Sequence, residues 1–310
     1  MNYLKNFMTE TTDNEIKKLV THDGSFHSDD IFACATLCLM LEKNNEKFTI
    51  TRTRNPAIIK TGDYVFDIGG IYDAEQNKFD HHQIGGAGKR ENGIEYSSFG
   101  LVWKKFGKIL TSDNKAVEII DKRLAAPIDA FDNGFDLVEN KYEVTPYYIQ
   151  HLFFSMKPTW KENNLTKDVM FLKCVEIAKV ILAREIIQAQ DLILAEDIIN
   201  SAYQNTVDKR IIVLDKHYPW EEIINNFSEP LFVIYPRETD NFWTVEAVKA
   251  NAKSFVNRKN LPKLWAGLSN EDLQNVSSVS DAVFCHRGLF MAVAKTKQGA
   301  MKLAQIAVES

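Results

Sequence analysis

The sequence predicts an α/β protein with a parallel-sheet N-terminal domain, a helical linker and a smaller mixed α/β C-terminal domain. Three observations carry this reading. Short strand-like runs alternate with helical runs through the first 130 or so residues, a stretch from about 165 to 205 is almost all helix formers, and four strand-like runs then lie close together before a closing helix. Alternating strands and helices imply parallel pairing with helices on both sheet faces. A chain of 310 residues, 45% hydrophobic and 25% charged, can bury two cores. The expected boundaries are 1–205, with the linker at about 165–205, and 206–310.

Taken in order, "KKLVTH" reads as a strand and "SDDIFACATLCLMLEKN" as a helix with aspartates near its start. "KFTITRTR" is a second strand with alternating Thr, Ile and Arg, and "DYVFDIGG" a third that ends in a glycine pair. "IYDAEQNKFDHH" turns back. "GGAGKRENGIEYSS", residues 85–98, reads as a mobile glycine-rich loop. "SSFGLVWKKFGKIL" and "KAVEIIDKRLAAPIDAF" have helical spacing, with Ser98 and Asn114 as caps. Apolar residues at Val169, Leu172, Val175, Ala178 and Leu182 predict a long helical hairpin or linker. "RIIVLD", "LFVIYPRE", "FWTVEAV" and "AVFCHRGLFMAVAKT" are the strand-like runs of the second domain, and "KQGAMKLAQIAVES" is its closing helix.

Composition narrows the function. No apolar run approaches the roughly 18 residues of a membrane span, and "MNYLKNFMTE" lacks the features of a signal or transit peptide, so a cytoplasmic location is expected. Cysteines 34, 38, 174 and 285 form no CxxC pair and read as reduced, buried residues. The net charge of −5 is uneven: residues 241–310 carry an excess of +4, leaving −9 for the rest. That asymmetry suits an acidic, metal-loaded part beside a part that meets anions.

The ligand-grade residues gather where strands end. His22 follows "KKLV" and Asp67 follows "YVF", and in open parallel sheets ligands bind beyond the carboxyl ends of strands. His27 and Asp29 follow His22 closely enough to fold back to the same rim. "DHH" at 80–82 and "DAFDNG" with Asp129 and Asp132 each follow an element end. Catalytic divalent metals want imidazole nitrogen and carboxylate oxygen with positions left open, and a metal pair needs a bridging carboxylate. The candidates are His22, His27, Asp29, Asp67, His81, Asp129 and Asp132. This donor set favours two Mn²⁺ ions, with Mg²⁺ or another transition metal as alternatives. Asp23 and Asp30 read as turn and helix-start residues, and His151 and His217 receive no role.

"THDGSFHSDD", "DIGG.YD.....FDHHQ", "SSFGLVW", "DAFDNG", "RETDNFWTVEAV", "LPKLWAGLSNEDL" and "FCHRGLF" followed by "GAMKLA" resemble the melanocyte-proliferating-gene-1 exonuclease family from about Leu19 onward. That family is similar to the wider DHH-type metal-dependent phosphoesterases. The resemblance implies a DHH-like N-terminal domain with a two-metal site, and a 3'-to-5' RNA exonuclease. It implies that His22 and His27 hold one metal and Asp29 the other, that Asp67 bridges them, and that His81 and Asp132 complete the ligands of the second metal. His27 stands where the wider superfamily has aspartate, which bears on metal preference. Asp129, three residues before Asp132, is an alternative ligand or a partner of one.

On the same resemblance His82 faces the scissile phosphate, and the catalytic set is His82, Asp67 and Arg287. "CHRG" supplies His286 and Arg287 to substrate, and Arg237, Arg258 and Lys259 grip the strand. The expected partner is RNA or a short oligonucleotide, with no membrane and with a homo-oligomer left open. Two rival functions remain: a small-molecule phosphatase or pyrophosphatase on the same metals, and an inactive nucleic-acid-binding protein.

Overall fold

The computed structural model describes residues 16–251 and 254–310, so the N-terminal segment read for targeting signals lies outside the described residues. The chain divides into two compact units, one up to Ala189 and one from Gln190 to Ser310. The fold class is α/β, as expected.

In the first unit the elements run β1 (Lys17–Thr21), α1 (Ser28–Lys43), β2 (Phe48–Arg52), the single turn α2 (Pro56–Ile59), β3 (Tyr64–Phe66), β4 (Tyr72–Asp73), β5 (Lys78–Phe79), α3 (Ser98–Thr111), α4 (Asn114–Ile120), α5 (Ala126–Asp132) and α6 (Ile149–Ser155). The sheet order is β2-β1-β3-β5-β4. β1 pairs in parallel with β2 and β3, β3 in parallel with β5, and β4 closes the edge as an antiparallel partner of β5. α1 is the crossover that parallel pairing of β1 and β2 requires. It is buried nearly all round, with Phe32 packed on Phe99 of α3 at 5.2 Å between ring centres. Its apolar residues therefore form no single stripe.

Two sequence expectations are corrected here. The run from Lys115 to Phe131 is not one regular helix: α4 and α5 are joined by a π-helical turn over Asp121–Ala125, where the Ala126 amide reaches back to the Asp121 carbonyl. Pro127 follows and has no amide to donate, which disrupts the regular ladder at this point. The second concerns the helical hairpin or linker expected near 165–204: no hairpin forms, and the stretch is one helix, α7 (Lys167–Asn205), because no Gly or Pro within it supplies a turn. Its buried stripe runs through Met170, Phe171, Cys174, Val175, Ala178 and Leu182, while Val169 and Leu172 face outward. The division between the units falls inside this helix.

The second unit contains β6 (Ile211–Val213), α8 (Glu221–Ile224), β7 (Phe232–Pro236), β8 (Trp243–Ala247), α9 (Asn270–Ser277), β9 (Ala282–Cys285), β10 (Met291–Ala294) and α10 (Lys297–Glu309). Its sheet order is β6-β7-β8-β10-β9, with β6 and β7 parallel and the other pairs antiparallel. The run "AVFCHRGLFMAVAKT", expected as one strand, folds into the β9–β10 hairpin. The Leu289 amide donates to the His286 carbonyl at 2.8 Å to close the turn. Phe232, Ile234, Val245, Leu303 and Ala304 belong to the core of this unit.

A buried ion pair holds the glycine-rich loop against α5. Arg90 donates from Nε and Nη2 to Asp121 at 2.9 and 2.7 Å, its Nη1 lies 2.7 Å from Asp129 Oδ2, and its guanidinium covers the Tyr96 ring at 4.3 Å. The second half of the loop, expected to be mobile, is therefore pinned. Asp129 also accepts from Ser97 Oγ at 2.6 Å and from the Gly100 amide at 3.0 Å. A Cβ on Gly100 would overlap Asp129 Oδ2. Gly100→Ala is therefore expected to displace one partner of a buried pair and to cost roughly 3 kcal/mol or more. Denaturant unfolding checks this, and a loss below about 1 kcal/mol would show that the pair does not depend on the close approach.

Candidate metal centre

Three adjacent parallel strands end on the same edge, and each delivers a ligand-grade side chain there. β1 is followed by His22, β3 by Asp67 and β5 by Asp80, His81 and His82. Asp67 adopts a left-handed backbone with φ of 55°, which turns its carboxylate back over the strand ends. Such a conformation costs an L-residue roughly 1–2 kcal/mol, and Asp tolerates it better than most. Gly69 and Gly70, at φ of 102° and 68°, continue the turn where side chains would be strained. The N-terminus of α1 brings His27, Asp29 and Asp30 to the same edge, and the end of α5 brings Asp132.

These side chains form one network. His22 Nε2 lies 3.0 Å from Asp67 Oδ2 and 3.2 Å from Asp30 Oδ2. His81 Nε2 lies 3.4 Å from Asp67 Oδ1, 3.3 Å from Asp132 Oδ2 and 3.9 Å from Asp29 Oδ2. His27 Nδ1 lies 3.5 Å from Asp132 Oδ1. His82 Nδ1 lies 2.8 Å from Asp80 Oδ1 and 3.6 Å from Asp67 Oδ1, with its ring largely exposed. Among the described residues three sets have ligand atoms within 4.8 Å of one another: His22, Asp30 and Asp67; Asp67, His81 and His82; His27, Asp29 and Asp132. Asp67 belongs to two of them.

The electrostatics show what the network lacks. Burial favours the neutral form of His22, but hydrogen bonds to Asp30 and Asp67 outweigh it and raise the ring to about 9. His81 is raised to about 10 against burial by Asp132 and Asp67. Burial alone would lift Asp67 and Asp132, yet their imidazole partners hold both below the ordinary carboxylate range. Asp29 has no such relief. It is fully buried, neither oxygen has a hydrogen-bond partner, and burial followed by repulsion from Asp132, Asp67 and Asp30 pushes it well above its ordinary value.

A buried carboxylate without a partner is costly unless a cation compensates it. Four carboxylates and three buried or half-buried imidazoles converging on this point are the donor set of divalent metals, so the residues fit such ions.

Other expected residues have partners of their own. Asp129 does not join the cluster: Arg90, Ser97 and Gly100 occupy its oxygens, and burial raises it to about 6 despite Arg90. Asp132 is the member of that pair brought to the network. In the second unit, Arg258 donates to the carbonyls of Phe227 and Pro230 at 2.6 and 3.0 Å, and Lys259 donates to the Val308 carbonyl at 2.8 Å. Both cations thus hold the fold of that unit. Arg237 pairs with Asp240 at 3.2 Å. His286 and Arg287 sit on the β9–β10 turn, His286 accepting from the Gly288 amide and Arg287 exposed with no ion pair among the described residues.

Two residues were missed. Asp30 accepts from the His27 amide at 2.8 Å through one oxygen and meets His22 through the other. Asp80, bonded to the amides of Gly70, His81 and His82, orients the His82 ring.

The sequence matches the family model MYG1_exonuc, described as an uncharacterised protein family (UPF0160), over residues 18–308. It is 27% identical to "MYG1 protein" of Dictyostelium discoideum, covering 92% of this chain and 94% of that one. It is 29% identical to "MYG1 exonuclease" of Mus musculus, covering 93% of this chain and 84% of that one. The solved structure of RecJ in complex with Mn²⁺ from Thermus thermophilus is matched with a TM-score of 0.28 and 11% identity, over 95% of this chain and 52% of RecJ, so the chain spans about half of that protein.

The metal-free protein is expected to lose stability as pH rises. His22 and His81 titrate at about 9 and about 10 in the fold against an ordinary 6.5. The stability they contribute is therefore complete below about pH 6.5 and lost as pH climbs through about 9 to 10. Thermal unfolding in a chelator at about pH 6, 8 and 10 measures this, and a rising midpoint would contradict it. Added Mn²⁺ should raise the midpoint more at about pH 8 than at about pH 6, because the ligands must shed protons to bind it.

Proposed function

The chain belongs to the MYG1 exonuclease family, and from that premise we propose that it is a metal-dependent phosphodiesterase, a 3'-to-5' exonuclease on RNA or short oligonucleotides. The observation that carries the reading is Asp67, buried and in contact with two imidazoles from the ends of separate strands, beside a fully buried Asp29 whose side-chain oxygens have no hydrogen-bond partner. Relatives named MYG1 exonuclease support the reaction class. Following the family resemblance, Asp67 would bridge, His22 and His27 would be ligands on one side and Asp29, His81 and Asp132 on the other; Asp30 joins the first side through His22, and the carboxylate nearest His27 is Asp132. Two divalent ions, Mn²⁺ by the chemistry of the donors, would be held by these residues and would supply Lewis acidity and lower the pKa of a water.

The protein's own groups do the rest. Asp80 accepts from His82 and raises that ring, favouring the imidazolium, which donates to the phosphoryl oxygens as charge builds on them. His286 and Arg287 are assigned as further substrate contacts, Arg287 through the paired donors that suit a phosphate. The four cysteines are free and buried, which fits a reducing, cytoplasmic setting.

Asp67→Asn preserves both the shape and a side chain that tolerates the left-handed backbone, so the fold is expected to survive. Mn²⁺-dependent turnover is expected to fall by roughly 100-fold or more, since even residues behind the ligands cost about 10- to 100-fold. Near-normal turnover would overturn the assignment. Short RNA labelled at the 5' end should yield a ladder of shortening labelled products, and RNA labelled at the 3' end should release its label at once. Reversed patterns would refute the direction, and pyrophosphate cleaved faster than RNA would refute the substrate.

A further inference from the structure

Resting on the phosphodiesterase reading, we propose that Phe131, Tyr147, His151 and Phe154 of the first unit form a stacking platform for the nucleobase next to the phosphate held at the metal centre. The platform starts at the ligands themselves. The His27 ring meets Phe154 edge-on with centres 6.0 Å apart, and Phe131 directly precedes Asp132 in the chain. From Phe154 the rings continue to His151 at 6.5 Å, and from His151 to Tyr147 at 5.4 Å and Phe131 at 6.0 Å. A ring in contact with this row is thus one residue removed from a group in contact with His27 and Asp132.

The row is held rigidly yet left accessible. α6 is fixed to the start of α1 by Gln150, which accepts from the Ser28 amide at 2.5 Å, and by Phe153, packed against Phe32 at 5.8 Å. Gln150 and Phe153 are three apart and fully inside, so His151 and Phe154, also three apart, lie on the neighbouring stripe. Phe154 is 39% exposed, Phe131 37% and Tyr147 70%. Large aromatic faces turned to solvent beside a polar cluster call for an occupant.

The chemistry selects which one. A nucleotide combines a flat π-face with an adjacent anion, and the platform combines flat rings with the Lys157 ammonium, 3.8 Å from the Phe154 ring centre. Stacking is tolerant of base identity because every base has a π-face. The geometry therefore assigns to this row the grip on the terminal base, independently of any cation in the second unit.

The test uses the full chain in two arms. In a chelator, a dinucleotide carrying 2-aminopurine should lose fluorescence on stacking, and Tyr147→Ala and Phe154→Leu should each weaken that binding roughly 10-fold, while Tyr147→Phe should not. With Mn²⁺, the same variants should raise KM for a short RNA by a similar factor, and the difference from wild type should vanish when the terminal residue is abasic. Unchanged quenching in both weakening variants, or equal KM effects with and without the base, overturns the platform. A dimer in sedimentation that both variants dissociate, with quenching intact, shows instead that the face joins two copies. If wild-type protein quenches and the variants do not, yet nothing is hydrolysed, the platform stands and the phosphodiesterase reading falls.

Discussion

The carboxylate of Asp67 lies between two imidazoles, His22 from the end of β1 and His81 from the end of β5, and the rest of the first unit serves that contact. Its two oxygens face different partners only because β1, β3 and β5 are parallel neighbours that finish at one edge. Parallel pairing in turn requires a crossover, and the crossover helix α1 begins where the strand ends, so its first turn adds Asp29 and Asp30 to the same place. The left-handed backbone at Asp67 and the glycines after it cost conformational energy that packing of Val65 and Phe66 must offset. Asp80 closes the arrangement by capping the Gly70 amide from the far side of the turn.

Chemically identical groups in this unit divide by their partners. Asp129 and Asp132 lie one helical turn apart on α5, and both are largely buried. Asp129 Oδ1 accepts from a hydroxyl and an amide while its Oδ2 lies 2.7 Å from the Arg90 guanidinium, and it fastens the glycine-rich loop. Asp132 meets imidazoles that belong to the cluster, and neither side-chain oxygen of Asp29 has a well-formed hydrogen bond among the described residues. A guanidinium already in contact marks a carboxylate that holds the fold, and a buried carboxylate without one is compensated by a bound cation. The same distinction separates Arg258, whose guanidinium is spent on main-chain carbonyls, from Arg287, exposed on its turn.

Much of this arrangement is legible in the sequence because strand ends are. The runs before His22 and Asp67 read as strands from their apolar character, and the rule that ligands gather at carboxyl edges places both residues on one rim without coordinates. Asp30 escaped because an aspartate in the first turn of a helix has an ordinary explanation, and it does satisfy that explanation by accepting from the His27 amide. Only the distance from its second oxygen to His22 shows the other contact. The choice between Asp129 and Asp132 was open because residues three apart share a helix face, and only their partners separate them: Arg90, Ser97 and Gly100 around Asp129, His27 and His81 beside Asp132. The aromatic row is only partly legible: Tyr147, His151 and Phe154 stand four and three residues apart in the run "YYIQHLFF", a helical spacing, but Phe131 belongs to α5 and only the tertiary contact with His151 adds it to them.

The first turn of α1 is therefore where chemistry and recognition meet. Ser28 ties α6 through Gln150, His27 touches both Asp132 and Phe154, and Asp29 and Asp30 face inward to the histidines. Consecutive residues from His27 to Asp30 thus set the separation between the donor cluster and the exposed rings. A substrate whose base and phosphate match that spacing engages both without rearrangement, which spares the ordering cost that a loop-borne site incurs. A helix terminus suits this task because its backbone is fixed by the hydrogen bonds below it while its first amides and side chains remain free to point outward. On the proposed platform, selectivity for a nucleotide would follow from a distance held by one helix and would need no reading of base edges.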